Sequence, residues 1–323
     1  MKRSASGVAC AVLAVAFALV LAACGAQGAQ PAAPADSSGT AGQESAKQTA
    51  AVVYLPVKRV VNGNDGWTRT ENRIYDDRGR QLTADFEVTG DHDVPWNKCA
   101  FQEWDERGYP LKMEYDAKDT EGNAYKITET ASYKLNGNGA LSSEETTSTI
   151  GKDSFQECEP ASAKSIGTFE LSSDAQVLRK QVVQYDYFDK AGNLIQSQSA
   201  TSEFDDNGYE TRYSRKIKST HGDGDGHEHE HEYEQTVTFE WTKDGSGKVT
   251  ALKAVANSSG ATSTLTADVE VNESGMITKI HNCAVDGVAR KTNCAIEYTK
   301  IDNPLPVASE GWKTVAVDEL LFT

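Results

Sequence analysis

Apolar and polar residues change places every second position over long stretches of this chain. Lys126-Ile127-Thr128-Glu129-Thr130 and Thr236-Val237-Thr238-Phe239-Glu240-Trp241 show that two-residue period with β-branched and aromatic enrichment, the pattern of half-buried strands. Between the runs one phrase returns: an aromatic or apolar residue, a polar pair, then Gly four positions on. It appears at Tyr75 to Gly79, Trp104 to Gly108, Tyr133 to Gly137, Phe188 to Gly192, Phe204 to Gly208, Trp241 to Gly245 and Val271 to Gly275. Asp and Asn bond their own backbone locally and Gly takes positive φ at no steric cost, so each phrase predicts a turn.

Spacing turns this into a fold. Gly79, Gly108 and Gly137 fall 29 residues apart, and Gly245, Gly260 and Gly275 fall 15 apart. A unit of about 15 residues, less the turn, leaves strands of about ten, or roughly 33 Å. Successive turns of a meander lie on opposite edges, so a 29-residue recurrence predicts one edge with the well-marked turns. Residues 51–302 then hold around a dozen to sixteen strands, more than a twisted open sheet usually carries. The predicted class is all-β: a long antiparallel meander of repeated hairpins forming a large curved sheet, half-barrel or barrel. With 38% hydrophobic residues there is apolar material for one covered face, the other lying in water. The best helix candidate is short, Val315 to Phe322, in a C-terminal segment 303–323.

The aromatic-Asp-x-x-Gly-x-Leu phrase, clearest at Phe188 to Leu194 and Tyr75 to Leu82, resembles the YD repeat of RHS-type bacterial surface proteins. It is also similar to hairpin repeats of bacterial lipoproteins. The likeness covers the turn and its first flanking residues and implies a surface protein built of hairpins.

The N-terminus predicts an address. Lys2 and Arg3 precede an apolar stretch from Val8 to Leu21 without an acid, followed by Ala22-Ala23-Cys24. A small-residue pair before a cysteine at the end of such a stretch resembles the lipobox of bacterial lipoproteins. That resemblance implies a signal peptide 1–23, cut before Cys24, whose thiol and new amine carry lipid such as palmitate. The stretch is short for a spanning helix. Residues 25–50, nearly all Ala, Gln, Gly, Ser, Pro and Thr, bury too little to order themselves. With Cys24 they form a lipidated linker, 24–50, spanning roughly 25–30 Å. The expected location is the cell membrane or outer membrane, extracytoplasmic face.

Charge narrows the partners. The full chain carries −16, and removing residues 1–23 takes away Lys2 and Arg3 with no acid, giving −18. Such a surface repels nucleic acid and anionic headgroups, leaving the membrane, through the lipid anchor, and cationic or protein partners. Of six cysteines, Cys10 lies in the signal and Cys24 takes lipid. Cys99, Cys158, Cys283 and Cys294 remain, an even number suited to disulfides in an oxidising compartment. The favoured pairing is Cys283 with Cys294 around Val285-Asp286-Gly287, and Cys99 with Cys158. A tight turn at Asp286-Gly287 sets Cys283 opposite Arg290, so that pairing needs a wider loop or bulge.

One segment carries ligand chemistry. Residues 221–234, read as a loop insertion, contain four of the six histidines. Imidazole is the commonest ligand of zinc-class ions. His227, His229 and His231 at alternate positions, with His221, Asp223 or Asp225 folding over, are candidate ligands for Zn²⁺ or another transition metal; no cofactor is certain. His227 to His231 matches H-E-x-x-H literally, but that chemistry needs a helix, and this run reads as a strand. An EF-hand frame from Asp223 puts Glu228 where glycine is required. Trp67, Trp96 and Trp104 are candidates for a glycan surface but read more simply as core. No nucleophile elbow, phosphate loop or dinucleotide fingerprint occurs. The expectation is a membrane-anchored, non-enzymatic binding or structural module. Metal binding through the His-rich segment, or carriage of an apolar ligand or lipid, are its alternatives.

Overall fold

The computed structural model describes residues 52–90, 97–119, 122–153, 155, 159–222, 228–258 and 260–317. Seventeen strands follow in order: β1 (Val52–Asn62), β2 (Thr68–Tyr75), β3 (Gln81–Thr89), β4 (Lys98–Trp104), β5 (Pro110–Lys118), β6 (Ala124–Leu135), β7 (Leu141–Gly151) and β8 (Ser162–Leu171). Then come β9 (Leu178–Phe188), β10 (Leu194–Phe204), β11 (Glu210–Gly222), β12 (Glu228–Lys243), β13 (Val249–Ser258), β14 (Ala261–Val271), β15 (Ile277–Val285), β16 (Val288–Ala289) and β17 (Asn293–Asp302). Each strand from β1 to β15 pairs antiparallel with the next, and β15 pairs with β17. β17 returns to β1, with Val52 opposite Asp302 and Val61 opposite Cys294, so sixteen strands close into an antiparallel barrel. The two-residue β16 only folds back on β15.

The turns obey a tighter rule than the phrase in the sequence. Eight of them are Asx-x-x-Gly: those starting at Asp76, Asp105, Asp119, Asn136, Asp189, Asp205, Asp244 and Asn272, each with the glycine at positive φ. The Oδ1 of Asp76 accepts the N–H groups two and four residues on (3.0 and 2.8 Å), and Asp105, Asp205, Asp244, Asn136 and Asn272 do the same. The side chain thus fixes the left-handed residue at the fourth position. In Asn136-Gly137-Asn138-Gly139 and Asp244-Gly245-Ser246-Gly247 it is the second glycine that takes this role, not Gly137 or Gly245 as the phrase predicts. Six of these turns join even to odd strands on one rim, whereas Asp119 to Gly122 and Asp189 to Gly192 belong to the opposite rim.

Residues 303–317 form a strap fastened to the first rim. Leu305 and Val307 donate their N–H groups to the carbonyls of Arg78 and Arg107, Gly311 donates to Ala175, and Val315 donates to Gly208. The strap holds a four-residue helix, α1 (Pro306–Ser309). The expected helix at Val315 to Phe322 is absent over its described part: Val315 bridges Tyr209 in an extended conformation, because strap backbone bonds to the rim instead of to itself. Residues 318–323 lie outside the described residues. Glycine at the rim also makes room. A Cβ on Gly208 would sit 2.4 Å from the Lys313 carbonyl oxygen and one on Gly79 would sit 2.3 Å from Ala308 Cβ, whereas at Gly192 on the opposite rim none of the described residues lies within 4 Å.

The two faces of the wall differ. Inward positions carry the core: Val237, Phe239, Leu252, Ala254, Leu265 and Ile280 on one side, and Cys99, Met113, Tyr115 and Ile127 on another. Outward positions carry exposed ion pairs such as Lys126–Glu114 (2.6 Å), Lys253–Glu240 (3.1 Å) and Lys279–Glu270 (3.3 Å).

Candidate ligand site

The expected metal segment is mostly strand. His221 is the last residue but one of β11 and His229 and His231 belong to β12, with His221 opposite His229 and Ser219 opposite His231. The reason is pairing. β13 stops opposite Gln235 and β10 stops opposite Ser219, so the β11–β12 hairpin runs on as a two-stranded ribbon held by its own ladder. Only 223–227, with Asp223, Asp225 and His227, lies outside the described residues, as do Cys24, His92 and Trp96. His231 is exposed, and among the described residues no three His, Cys, Asp or Glu side chains form a metal-holding group. His281 lies on β15 with Nε2 3.1 Å from Glu270 Oε1.

The expected Cys283–Cys294 bridge is not formed: both are buried thiols. The turn at Asp286-Gly287 is tight, so Arg290 donates its N–H to the Cys283 carbonyl (2.8 Å) while Cys294 stands opposite Ile280. Cys99 is a buried thiol, and its expected partner Cys158 lies outside the described residues. Burial pushes all three thiols up, Cys294 to about 11, which disfavours the nucleophilic thiolate. Trp67 packs against the core and Trp104 lies under the Arg80 guanidinium (5.0 Å), so neither is part of an exposed aromatic platform.

Three buried polar constellations sit inside the barrel. At the rim, Glu310 of the strap is fully buried, and its carboxylate accepts from Tyr109 Oη (2.5 Å), the Leu141 N–H (2.8 Å) and Arg107 Nη2 (2.8 Å). Burial holds its carboxyl above the usual range, against the pull of those donors. Glu210 does the same for the strap's end, accepting the Val317 N–H (2.8 Å).

Deeper in, Glu129 of β6 accepts from Ser148 Oγ (2.7 Å) and Tyr115 Oη (3.4 Å), with no exposure to solvent. Burial pushes Glu129 up to about 7. Glu144 of β7 is pushed up to about 8, by burial first and by the charge of Glu129 second. Glu144 borders a recess of about 20 Å³ with Thr146, Ser165 and Tyr185.

The third constellation borders a cavity of about 80 Å³ between the inner faces of β1, β2 and β17 and the strap. Glu71 bridges two guanidiniums: its Oε2 lies 2.5 Å from Arg59 Nη2 and its Oε1 lies 2.5 Å from Arg73 Nη2. Burial alone would raise Glu71, but Arg73 and Arg59 outweigh it and hold the carboxyl at about 2. The lining also includes Tyr54, Met276, Ile296, Tyr298, Trp312 and Val315, with Ile296 directly opposite Arg59 in the β1–β17 ladder. A bulge interrupts β1 between Pro56 and Lys58, and the Lys58 ammonium pairs outward with Glu297 (4.0 Å). None of these residues stood out in the sequence as a site. The available signal was a run of charges, Arg69, Glu71 and Arg73, at alternate positions next to Tyr75.

No protein-family model and no curated protein matches the sequence. Among solved structures, the chain is similar to a porin-like protein from Bacteroides vulgatus at 8% identity and a TM-score of 0.41, covering 76% of this chain and 98% of that one. It is also similar to a porin-like protein from Bacteroides uniformis at 13% identity and a TM-score of 0.33, covering 77% and 95%. Likeness at that level says nothing of what the barrel binds.

Proposed function

We propose that this chain is a membrane-anchored, extracytoplasmic, non-enzymatic binding module, in which a lipid on Cys24 tethers a water-facing barrel that takes a small ligand beneath its strap. What carries the reading is the polarity of the wall. Barrels that cross a bilayer turn an apolar band outward, and a Lys or Arg at the midplane costs about 2–4 kcal/mol. Here Lys58, Lys112, Lys126, Lys180, Lys253 and Lys279 pair with acids on the outward face, while the apolar side chains pack inside. Such a wall suits water, and membrane attachment then falls to the N-terminal segment. The cavity, with room for on the order of six waters, suits a small molecule better than a whole lipid.

Fractionation of cells expressing Cys24→Ser tests this. The variant should leave the membranes in an alkaline carbonate wash and stay β-rich by circular dichroism, while the parent chain remains membrane-bound. A Cys24→Ser protein whose barrel still resists the wash after residues 1–50 are clipped away by protease would mean that the barrel itself is inserted.

A second reading, transition-metal binding at the ribbon, is favoured by the register that sets His221 opposite His229. In a zinc titration the full chain should then bind more tightly than a free peptide of residues 221–234. Equal affinities would reduce the ribbon to a histidine tag.

A further inference from the structure

The charged and polar groups at the border of the strap cavity already have partners in the protein. Glu71 lies between the guanidiniums of Arg59 and Arg73, and both arginines take part in further interactions. Lys58 turns outward to Glu297. Tyr298 donates its hydroxyl to the Ile277 carbonyl (2.8 Å), and Thr314 Oγ1 accepts the Leu178 N–H (2.7 Å). A charged guest would leave its hydration shell with no counter-charge waiting to offset the loss. What remains of the lining is chiefly carbon: the aromatic pair Tyr54 and Trp312, ring centres 6.2 Å apart, with Met276, Ile296, Val315 and Ala316. The strap supplies three of these, Trp312, Val315 and Ala316, so the apolar surface is complete only with the strap in place. Size sets the remaining limit. An apolar cavity of about 150 Å³ takes benzene, and this one measures about 80 Å³, room for on the order of five non-hydrogen atoms.

We propose that this cavity binds a small uncharged aliphatic molecule, a chain or branch of about four carbons carrying no more than a hydroxyl. The inference rests on the ligand-binding reading above and adds the class of ligand. Each methylene buried there strengthens binding about fourfold, until the chain outgrows the space and must strain its surroundings. Loose association with apolar surface has no such limit, so an optimum in chain length is the mark of the cavity.

Primary alcohols from ethanol to octanol, titrated into the purified full chain with isotope-labelled methionine methyls, test the proposal by nuclear magnetic resonance. Met276 lines the cavity, whereas Met113 is buried in another cluster and serves as the control. The Met276 signal should shift with an affinity that peaks near butanol, while Met113 stays in place. Butyrate and butylammonium should bind about tenfold more weakly than butanol, or less. Ala316→Val takes space away and should move the peak to a shorter chain, and Ile296→Ala adds space and should move it to a longer one. Affinity that climbs all the way to octanol, or a peak that neither variant moves, would overturn the cavity site. Binding of butyrate or butylammonium without butanol would overturn the uncharged class and leave the small-ligand reading standing. No shift with any probe would overturn both, while the tethered barrel stands or falls separately with the Cys24→Ser fractionation.

Discussion

Glu310→Ala is expected to lower the unfolding free energy of the barrel by about 3–5 kcal/mol, the largest effect of any single substitution in the strap. Alanine removes the acceptor of three donors at once: the hydroxyl of Tyr109, the backbone N–H of Leu141 and the guanidinium of Arg107. Tyr109 has no solvent exposure, so its hydroxyl cannot turn to water instead. Each buried donor left without a partner costs about 1–3 kcal/mol, more where one of them is charged. Glu310→Gln keeps an oxygen in place and should cost less than half as much. Urea unfolding followed by far-UV circular dichroism measures both, and limited proteolysis should cut the alanine variant first within residues 303–317. An alanine variant as stable as the parent would show that the strap is held by its backbone bonds to the rim alone.

Raising the pH from 5 to 9 is expected to destabilise the barrel by on the order of 3–5 kcal/mol, through Glu129 and Glu144. In the unfolded chain these carboxyls ionise near their ordinary value of 4.5, but in the barrel they keep their protons to about 7 and about 8. The folded state therefore holds more protons across that window. Their contribution is intact below the unfolded value, falls as pH climbs, and is lost once pH passes the folded value. Glu144→Gln imitates the protonated acid and should flatten the profile. At pH 5 it should be near neutral in effect, while at pH 9 it should be more stable than the parent by about 2 kcal/mol or more. Thermal unfolding across a pH series reads this directly. A Glu144→Gln variant weaker than the parent at pH 9 would mean that Glu144 is a paired anion.

The same two carboxylates show where the sequence stops being readable. Ile127, Glu129, Ala131 and Tyr133 share one parity of β6, and alternation plainly marks that strand. What alternation does not say is that an acid in apolar register is buried and protonated, since nothing local distinguishes it from an acid on a solvated face. In β2 the rule fails outright. Its inward positions are Arg69, Glu71, Arg73 and Tyr75, while Ile74 points out with 54% of its surface exposed. Hydropathy inverts there because guanidiniums and carboxylate satisfy one another inside, a pairing visible only once β1 lies beside β2. The strap was hidden for a similar reason: residues 303–317 have no period of their own and take their shape from the rim. By contrast, the turns were legible because an Asx oxygen and a glycine four positions along fix the backbone without outside help. The number of strands, and the need for the sheet to curl, followed from those turns.

The seam between β1 and β17 has a consequence in time. Val52 finds Asp302 across 302 − 52 = 250 residues, so the first strand of the barrel waits for the last. Hairpins form in microseconds, but joining ends that far apart carries a chain-entropy cost of about 5 kcal/mol beyond a constant. Until that joint is made the polypeptide is a ribbon with two bare edges, each a template for pairing with a neighbouring chain. Losing the ten residues of β17 would therefore do more than shorten the protein: it would leave a ring that never shuts.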